Sequence, residues 1–166
     1  ATSPYLLGGL DPATTYGVQA QSDCDSEGLS SWCSPVIFTT GVPTKIKITP
    51  SAADEMTWAE FAGYVNDGYS YSGKTVTLME NIVSGVTDIV GTYASPIRYF
   101  SGTFDGGGHT LTVNISSLSP DAAVDNNEYK GVAPFRNIRN ATIKDLVVTG
   151  SVTGNQHPTA GFVGFC

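Results

Sequence analysis

The sequence predicts an all-β protein of two units, a short sheet-forming unit over residues 1–42 and a stacked, repeat-like unit over residues 43–166. Two observations carry this prediction. The chain holds 19 glycines and many short apolar runs that alternate with threonine or serine, which suits short strands joined by turns. Similar strand-like segments also recur after residue 75, and such units bury a continuous core only by stacking. The second unit is therefore predicted to be a parallel β-helix or a related solenoid.

The stretch from Phe100 to Ile115 is the clearest example of the recurring pattern. A short β-type run ends at Phe104, and Asp105-Gly106-Gly107-Gly108 then predicts a tight turn with positive φ. The following Thr110–Ile115 alternates polar and apolar residues, as a half-buried strand does. We interpret Asp105 as an Asx-type turn residue that accepts backbone N–H groups. The alternative is a cation site, although a calcium loop needs several oxygen ligands and one carboxylate stands alone here.

Three segments are aligned as equivalent strands: Thr75–Ile82, Thr110–Ile115 and Thr142–Val148, which start 35 and 32 residues apart. A second alignment pairs Lys130–Phe135 with Thr159–Gly164. The spacing is too uneven for a strict repeat. It predicts stacked coils with a variable loop in one of them.

One helix is predicted, within residues 51–68. Thr57 at the N-cap and Glu60 three residues later fit a capping box, and Gly68 suits the C-terminal end. Helical spacing places four apolar side chains on one face: Trp58, Phe61, Ala62 and Val65. We expect this helix to close the open end of the β core, because an exposed sheet edge invites aggregation. The alternative is that Trp58 and Phe61 form a platform for a ligand.

The first unit resembles the last three strands of a fibronectin type III domain. The resemblance rests on Leu10-x-Pro12-x-x-Thr15, on Tyr16 as the tyrosine-corner residue, on Ser31-Trp32 and on Phe38-Thr39-Thr40. The first four strands of the seven-stranded sandwich are absent, which leaves one apolar sheet face uncovered. We expect the native chain to continue upstream. In the given sequence these strands must pack on something else, pair with another copy or be poorly held.

The second unit resembles the start of bacterial surface proteins that carry the GLUG motif on a right-handed β-helix. The matching features are Trp58-x-x-Phe61, Gly73–Leu78, Phe100–Leu111, Ala141–Leu146 and the tetrapeptide Gly161-Phe162-Val163-Gly164. Only one clear tetrapeptide is present, because Gly131-Val132-Ala133-Pro134 departs from it. Since solenoids need several stacked repeats, we expect the full protein to be longer.

Charge and composition exclude several classes of function. A formal net charge of −7 and a pI near 4.5 argue against nucleic acid and anionic membranes as partners. No apolar run approaches the roughly 20 residues that a membrane helix needs. No Cys-x-x-Cys occurs and there are 2 histidines, so we expect neither a zinc site nor any other cofactor. Cys24 and Cys33 are predicted to form a disulfide across a hairpin, which fits an oxidising compartment; the alternative is two free thiols.

Candidate catalytic groups do not form a recognisable pattern. His109 lies near Asp105 in sequence, without a nucleophile or second carboxylate, and is interpreted as a half-buried structural histidine. An acidic loop holds Asp121, Asp125 and Glu128; it is either solvated or, if the side chains converge, a weak metal site or a carboxylate pair. The cations of this unit are scattered and could line a groove: Arg98, Arg136, Arg139 and Lys144.

The resemblance implies a non-catalytic, extracellular or cell-surface bacterial protein, an adhesin-like scaffold that binds glycans or host proteins. Two alternatives stay open. A polysaccharide lyase or glycoside hydrolase on the same fold requires carboxylates, or a carboxylate with a lysine or arginine, converging in a groove with raised pKa values. A purely structural spacer of a larger surface protein predicts no sizeable pocket.

Overall fold

The chain divides into two compact units, Ala1–Val42 and Pro43–Cys166, with the boundary where the sequence places it. Our computed structural model describes residues 7, 10, 14–23, 28–51, 55–85, 87–92, 96–116, 132–153 and 159–166. These residues form short strands and one short helix, so the predicted all-β class is confirmed.

The first unit contains an antiparallel pair, β1 (Thr15–Val18) and β2 (Val36–Thr39). Tyr16 lies directly opposite Phe38, with ring centres 6.0 Å apart. Pro12, part of the motif that begins at Leu10, lies outside the described residues. Much apolar surface is left in water, since Trp32, Val36 and Ile37 are 60%, 65% and 64% exposed. Val36 and Ile37 are consecutive in β2 and point to opposite faces, so apolar side chains are exposed on both sides of this strand pair.

The second unit contains nine strands and one helix in its described part. In chain order these are β3 (Lys47–Ile48), α1 (Trp58–Asn66), β4 (Thr75–Leu78), β5 (Ile82–Val83), β6 (Thr103–Asp105), β7 (Thr110–Ser116), β8 (Phe135–Asn137), β9 (Thr142–Lys144), β10 (Val147–Thr153) and β11 (Val163–Phe165).

These strands pair in three sheets, all of them parallel. The first parallel sheet has the order β3-β4-β6-β9, and the second has β5-β7-β10. The third joins β8 to β11, and Val90 adds a parallel bridge to Phe135. From β4 onward the chain visits the first, second and third sheets in turn and does so three times, over residues 75–90, 103–137 and 142–165. Each circuit therefore lies against the one before it.

The register corrects the first sequence alignment. Thr103 pairs with both Thr75 and Thr142, so β6 is the strand that stacks between β4 and β9. The segment 110–115 belongs to β7, one sheet further along the circuit, and its alignment with residues 75–82 and 142–148 was wrong. The three-residue β6 has little alternation to reveal it, whereas the longer β7 has a strong pattern.

The second alignment is confirmed with a small displacement. Val132 bridges Thr159, and Phe135 pairs with Val163. These two segments do stack, but one or two residues out of the predicted register. The departure of Gly131–Pro134 from the tetrapeptide begins at a residue outside the described part of the chain.

The inner sides of the three sheets share one apolar core. Leu78 and Leu111 belong to the same buried cluster, and Ile143 packs against it. Successive side chains of a strand point to opposite faces, so inward residues such as Phe104 alternate with outward ones such as Thr103.

The helix begins and ends through local interactions that the sequence predicts. Thr57 Oγ1 accepts from Glu60 N at 3.2 Å, and a Glu60 carboxylate oxygen accepts from Thr57 N at 2.7 Å, which completes the capping box. At the other end Gly68 has φ of 108° and donates to Val65 O, while Tyr69 N donates to Tyr64 O. This is a Schellman motif, which satisfies the last carbonyl groups.

The predicted apolar stripe of the helix is buried: Trp58, Phe61, Ala62 and Val65. The Trp58 ring lies 5.9 Å from Phe104 and 5.4 Å from Phe135, measured between ring centres. The helix therefore packs on the interior of the stacked sheets, as a lid does. Among the described residues, no helix has the length and apolarity that a membrane crossing requires.

Replacing Thr57 by alanine should lower the free energy of unfolding by about 1 kcal/mol, because the Glu60 amide loses its acceptor at the helix N-terminus. Urea unfolding followed by circular dichroism measures the change. Thr57→Ser retains the hydroxyl and should stay within about 0.5 kcal/mol of the native chain. Equal losses in the two variants would contradict a role for the cap.

Candidate functional site

A shallow polar groove lies where the chain enters the first parallel sheet at three successive levels. It consists of two adjoining depressions of about 390 and 190 Å³ that share Ser101 and Asn140. The larger is lined by Ser70, Ser72, Tyr99, Ser101, Arg139 and Asn140. The smaller adds Gly73, Lys74, Thr75, Gly102, Thr103 and Thr142. The volume of the larger depression lies at the lower end of known ligand sites, about 300–1,000 Å³.

The groove is held by backbone hydrogen bonds between the three levels. Ser101 N donates to Ser70 O at 2.8 Å, and Thr103 N donates to Lys74 O at 2.9 Å. One level further, Thr142 N donates to Gly102 O at 3.0 Å. Because the backbone groups satisfy one another, the outward side chains are left to face solvent or a ligand on a rigid base.

Gly102 allows the levels to approach this closely. A Cβ atom there would lie 2.6 Å from Tyr71 O and 2.8 Å from Lys74 O, which no side chain tolerates without movement of the backbone. Asn140, on the next level, has φ of 51°, a left-handed conformation that asparagine adopts more readily than most residues. The groove is thus shaped by backbone requirements as well as by its polar side chains.

The larger depression combines an aromatic ring with a cation. The Arg139 guanidinium carbon lies 5.4 Å from the centre of the Tyr99 ring, within the range of a cation–π contact. Tyr99 is half-buried and Arg139 is exposed. An aromatic face, hydroxyl groups and an amide in one depression can contact both the apolar and the hydroxylated sides of a sugar or a polar peptide.

The predicted Asp105 turn forms in the structure at a separate place. Asp105 Oδ1 accepts from Gly107 N at 3.0 Å, as in an Asx-type turn. Gly107 and Gly108 have positive φ values of 57° and 77°. Gly106 is needed for a different reason, since a Cβ atom there would overlap the carbonyl oxygen of Asp145.

Lys144 lies opposite Asp105 in the register of β6 and β9 and forms an ion pair with it. Its Nζ lies 2.7 Å from Asp105 Oδ2 and 3.7 Å from Asp145 Oδ2. The hydrogen bond from Lys144, and then that from Gly107, lower the pKa of Asp105, and Asp105 in turn raises the pKa of Lys144. A carboxylate with a lowered pKa is held ionised and is poorly suited to act as a general acid at neutral pH.

Of the other candidates, Arg139 lines the groove, whereas His109 and Arg136 do not. His109 is half-buried, and its backbone N donates to Gly106 O at 2.8 Å. Arg136 is 4% exposed, whereas Arg139 lines the groove. In the part of the chain that the structure describes, His, Cys, Asp and Glu side chains form no group of three or more that could hold a metal ion.

Two sets of predicted residues fall outside the described part of the chain. The acidic loop with Asp121, Asp125 and Glu128 is one of them. Cys24 is the other; Cys33 is exposed, and its Sγ accepts from Ala20 N at 3.1 Å. The disulfide between Cys24 and Cys33 therefore stays a prediction.

The interpretation of Trp58 and Phe61 as a ligand platform is not supported. Both rings are buried, with exposures of 3% and 0%, and Trp58 Nε1 donates to Asp88 O at 2.7 Å. An edge of Trp58 does border a cleft of about 340 Å³. The segments lining this cleft flank residues 52–54 and 86 in sequence, which lie outside the described residues.

Most of the groove was not predicted from the sequence. Arg139 was predicted as a possible groove residue, whereas Tyr99 and Ser101 were not. The sequence does contain a signal for the groove, which is a polar or glycine-containing dipeptide before the first threonine of each stacked strand. These dipeptides are Gly73-Lys74 before Thr75, Ser101-Gly102 before Thr103 and Asn140-Ala141 before Thr142. The correct strand register brings these three dipeptides together, and the incorrect alignment of β7 with β4 concealed it.

The ion pair between Asp105 and Lys144 should make stability depend on pH. A carboxylate whose pKa is lowered by folding stabilises the native state above its unfolded pKa, about 3.9, and this contribution is lost as the pH falls through the folded value. Lys144→Gln should therefore lower the urea midpoint at about pH 7 and have a smaller effect at about pH 2.

Lys74→Gln is the matched control, because within the described residues Lys74 forms no ion pair. It removes the same charge and should change the urea midpoint little at either pH. An effect of Lys144→Gln that is equal at both pH values would show that the pair does not act through ionised Asp105.

Comparison with known proteins adds no family to this geometry. No protein-family model matches the chain, and no curated protein or solved structure matches it either. The resemblances to fibronectin type III domains and to GLUG-motif proteins thus rest on the residues quoted above.

Proposed function

We propose that residues 43–166 form the helix-capped beginning of a right-handed parallel β-helix, and that residues 1–42 are the last strands of a fibronectin type III domain. The parallel registers support the first part, since each sheet receives one strand or bridge from every circuit. The antiparallel pair with Tyr16 stacked on Phe38 supports the second. Stacked coils of this kind give a stiff rod with an extended lateral surface.

We further propose that this chain is a non-catalytic binding module of a secreted or surface-anchored bacterial protein, which recognises glycan or protein ligands. The observation that carries the proposal is the groove at the entry to the first parallel sheet. Hydroxyl groups, an amide and the Tyr99 ring line it on a backbone whose levels are joined by hydrogen bonds. A preformed polar site of this kind loses little entropy when a ligand binds.

The geometry favours binding over the two rival functions. A spacer predicts no sizeable depression, whereas the larger part of the groove measures about 390 Å³. An enzyme that cleaves polysaccharides needs acid–base groups in the groove with raised pKa values. The groove lining contains no carboxylate among the described residues, and the Asp105 carboxylate, with its lowered pKa, lies beside Lys144 instead.

Binding can be tested by screening the full chain against an array of bacterial, plant and host glycans together with host extracellular proteins. The groove variant combines Tyr99→Ala with Asn140→Gly, because glycine keeps the left-handed backbone of Asn140 and removes only its amide. We expect at least about a tenfold loss of affinity, since each lost polar contact costs about 1 kcal/mol and tenfold corresponds to 1.4 kcal/mol.

Thr149→Ala is the control, because Thr149 is exposed on the second parallel sheet and outside the groove lining. It should bind as the native chain does. Absence of binding to every glycan and protein would favour the spacer, and release of sugars from a polysaccharide would favour the enzyme. Binding that survives the groove variant would place the ligand elsewhere on the molecule.

A further inference from the structure

The charge of the groove is opposite to that of the chain. The protein carries a formal charge of −7, yet the groove lining contains Lys74 and Arg139 and, among the described residues, no aspartate or glutamate. Both side chains are exposed. A local cationic site on an acidic protein needs an explanation in terms of what it faces.

These two cations have no anionic partner within the described residues. Lys47 and Lys144, by contrast, pair with carboxylates, and Lys45 donates to the backbone carbonyl of Glu55 at 2.8 Å. Arg98 and Arg136 also make contacts of their own. Within the described residues, neither Lys74 nor Arg139 forms an ion pair or a side-chain hydrogen bond, and the Arg139 guanidinium lies over the Tyr99 ring.

We propose that the groove binds an acidic saccharide, a glycan whose sugars carry carboxylate or sulfate groups. This inference rests on the proposed binding function and specifies its ligand class. Arg139 presents a planar fork of donors that fits a carboxylate or a sulfate, and Lys74 presents a compact charge. One cation lies in each depression, with the shared Ser101 and Asn140 between them.

The order of groups along the groove matches the chemistry of such a chain. An acidic glycan alternates anionic groups with hydroxyls, and the groove offers a cation, then a hydroxyl and an amide, then a second cation. The Tyr99 ring beside Arg139 adds an apolar face for the C–H side of a sugar ring. A neutral glycan would leave two exposed cations without partners, and a protein segment would need a matching spacing of acidic side chains.

Titration calorimetry with defined oligosaccharides tests the inference. The probes are an oligogalacturonate, which carries carboxylates, its methyl ester, which has the same sugars without the charge, and a sulfated heparin-derived oligosaccharide. We expect the chain to bind one or both charged probes at least about tenfold more tightly than the neutral ester. Preference for the first or the second identifies carboxylate or sulfate as the recognised group. Raising the salt from about 0.05 to about 0.5 M should weaken binding, because the cations are exposed to screening.

Charge variants separate the groove from the rest of the surface. Lys74→Gln with Arg139→Gln should lower the affinity for the charged probe at least about tenfold and leave the circular dichroism spectrum unchanged, since both side chains are exposed. Lys47→Gln removes a positive charge outside the groove and should leave the affinity within about twofold.

The inference would be overturned if neither charged probe bound more tightly than the neutral ester, or if the double variant bound the charged probe as the native chain does. If the chain were not a binding module at all, no glycan or protein on the array would bind to it, which is a different outcome. Neutral glycans that bind and are lost with Tyr99→Ala would keep the function and exclude the acidic ligand.

Discussion

The aromatic contact between the helix and the interior of the parallel sheets is the constraint on which the second unit depends. Phe61 lies 5.5 Å from Phe100 and 5.6 Å from Phe104, and Phe104 lies 5.1 Å from Phe135, all between ring centres. These rings come from the helix, from the first sheet and its approach, and from the third sheet. Burying them determines which residues of each strand face inward. Since strand side chains alternate, it also determines that Thr75, Thr103 and Thr142 face outward along one column.

The same stacking that buries the core builds the outer surface. The approaches to the first sheet lie on top of one another because their strands do, and Gly102 removes the side chain that would separate them. Hydrogen bonds between levels pair backbone groups of these approaches. Serine, threonine and asparagine side chains then line the groove. The pair between Asp105 and Lys144 arises in the same way, because those two residues are partners in the register of β6 and β9. Core, groove and ion pair are thus consequences of one register.

The sequence predicted features that depend on neighbours in the chain and missed those that depend on the register. The helix from its capping box to Gly68, and the turn at Asp105, are decided within a few residues, and both form as predicted. The groove and the contact between Lys144 and Asp105 join segments from different circuits. Neither could be predicted from an alignment of β7 with β4, because β6 is the strand that stacks on β4. A three-residue strand such as β6 carries almost no periodic signal of its own. Its place follows from packing, which one sequence does not display.

The distribution of charge bears on which polyanions an acidic protein with a cationic groove can accept. At physiological salt a charge acts over roughly 8 Å, so the net charge of the chain does not prevent a short anionic group from reaching Lys74 or Arg139. A nucleic acid is different, since double-stranded DNA carries a charge about every 1.7 Å and needs a basic stripe to match it. The two cations of the groove cannot neutralise such a density, and the net charge of −7 disfavours it further. On the proposed function, sparse and spaced negative charge is what this groove can select.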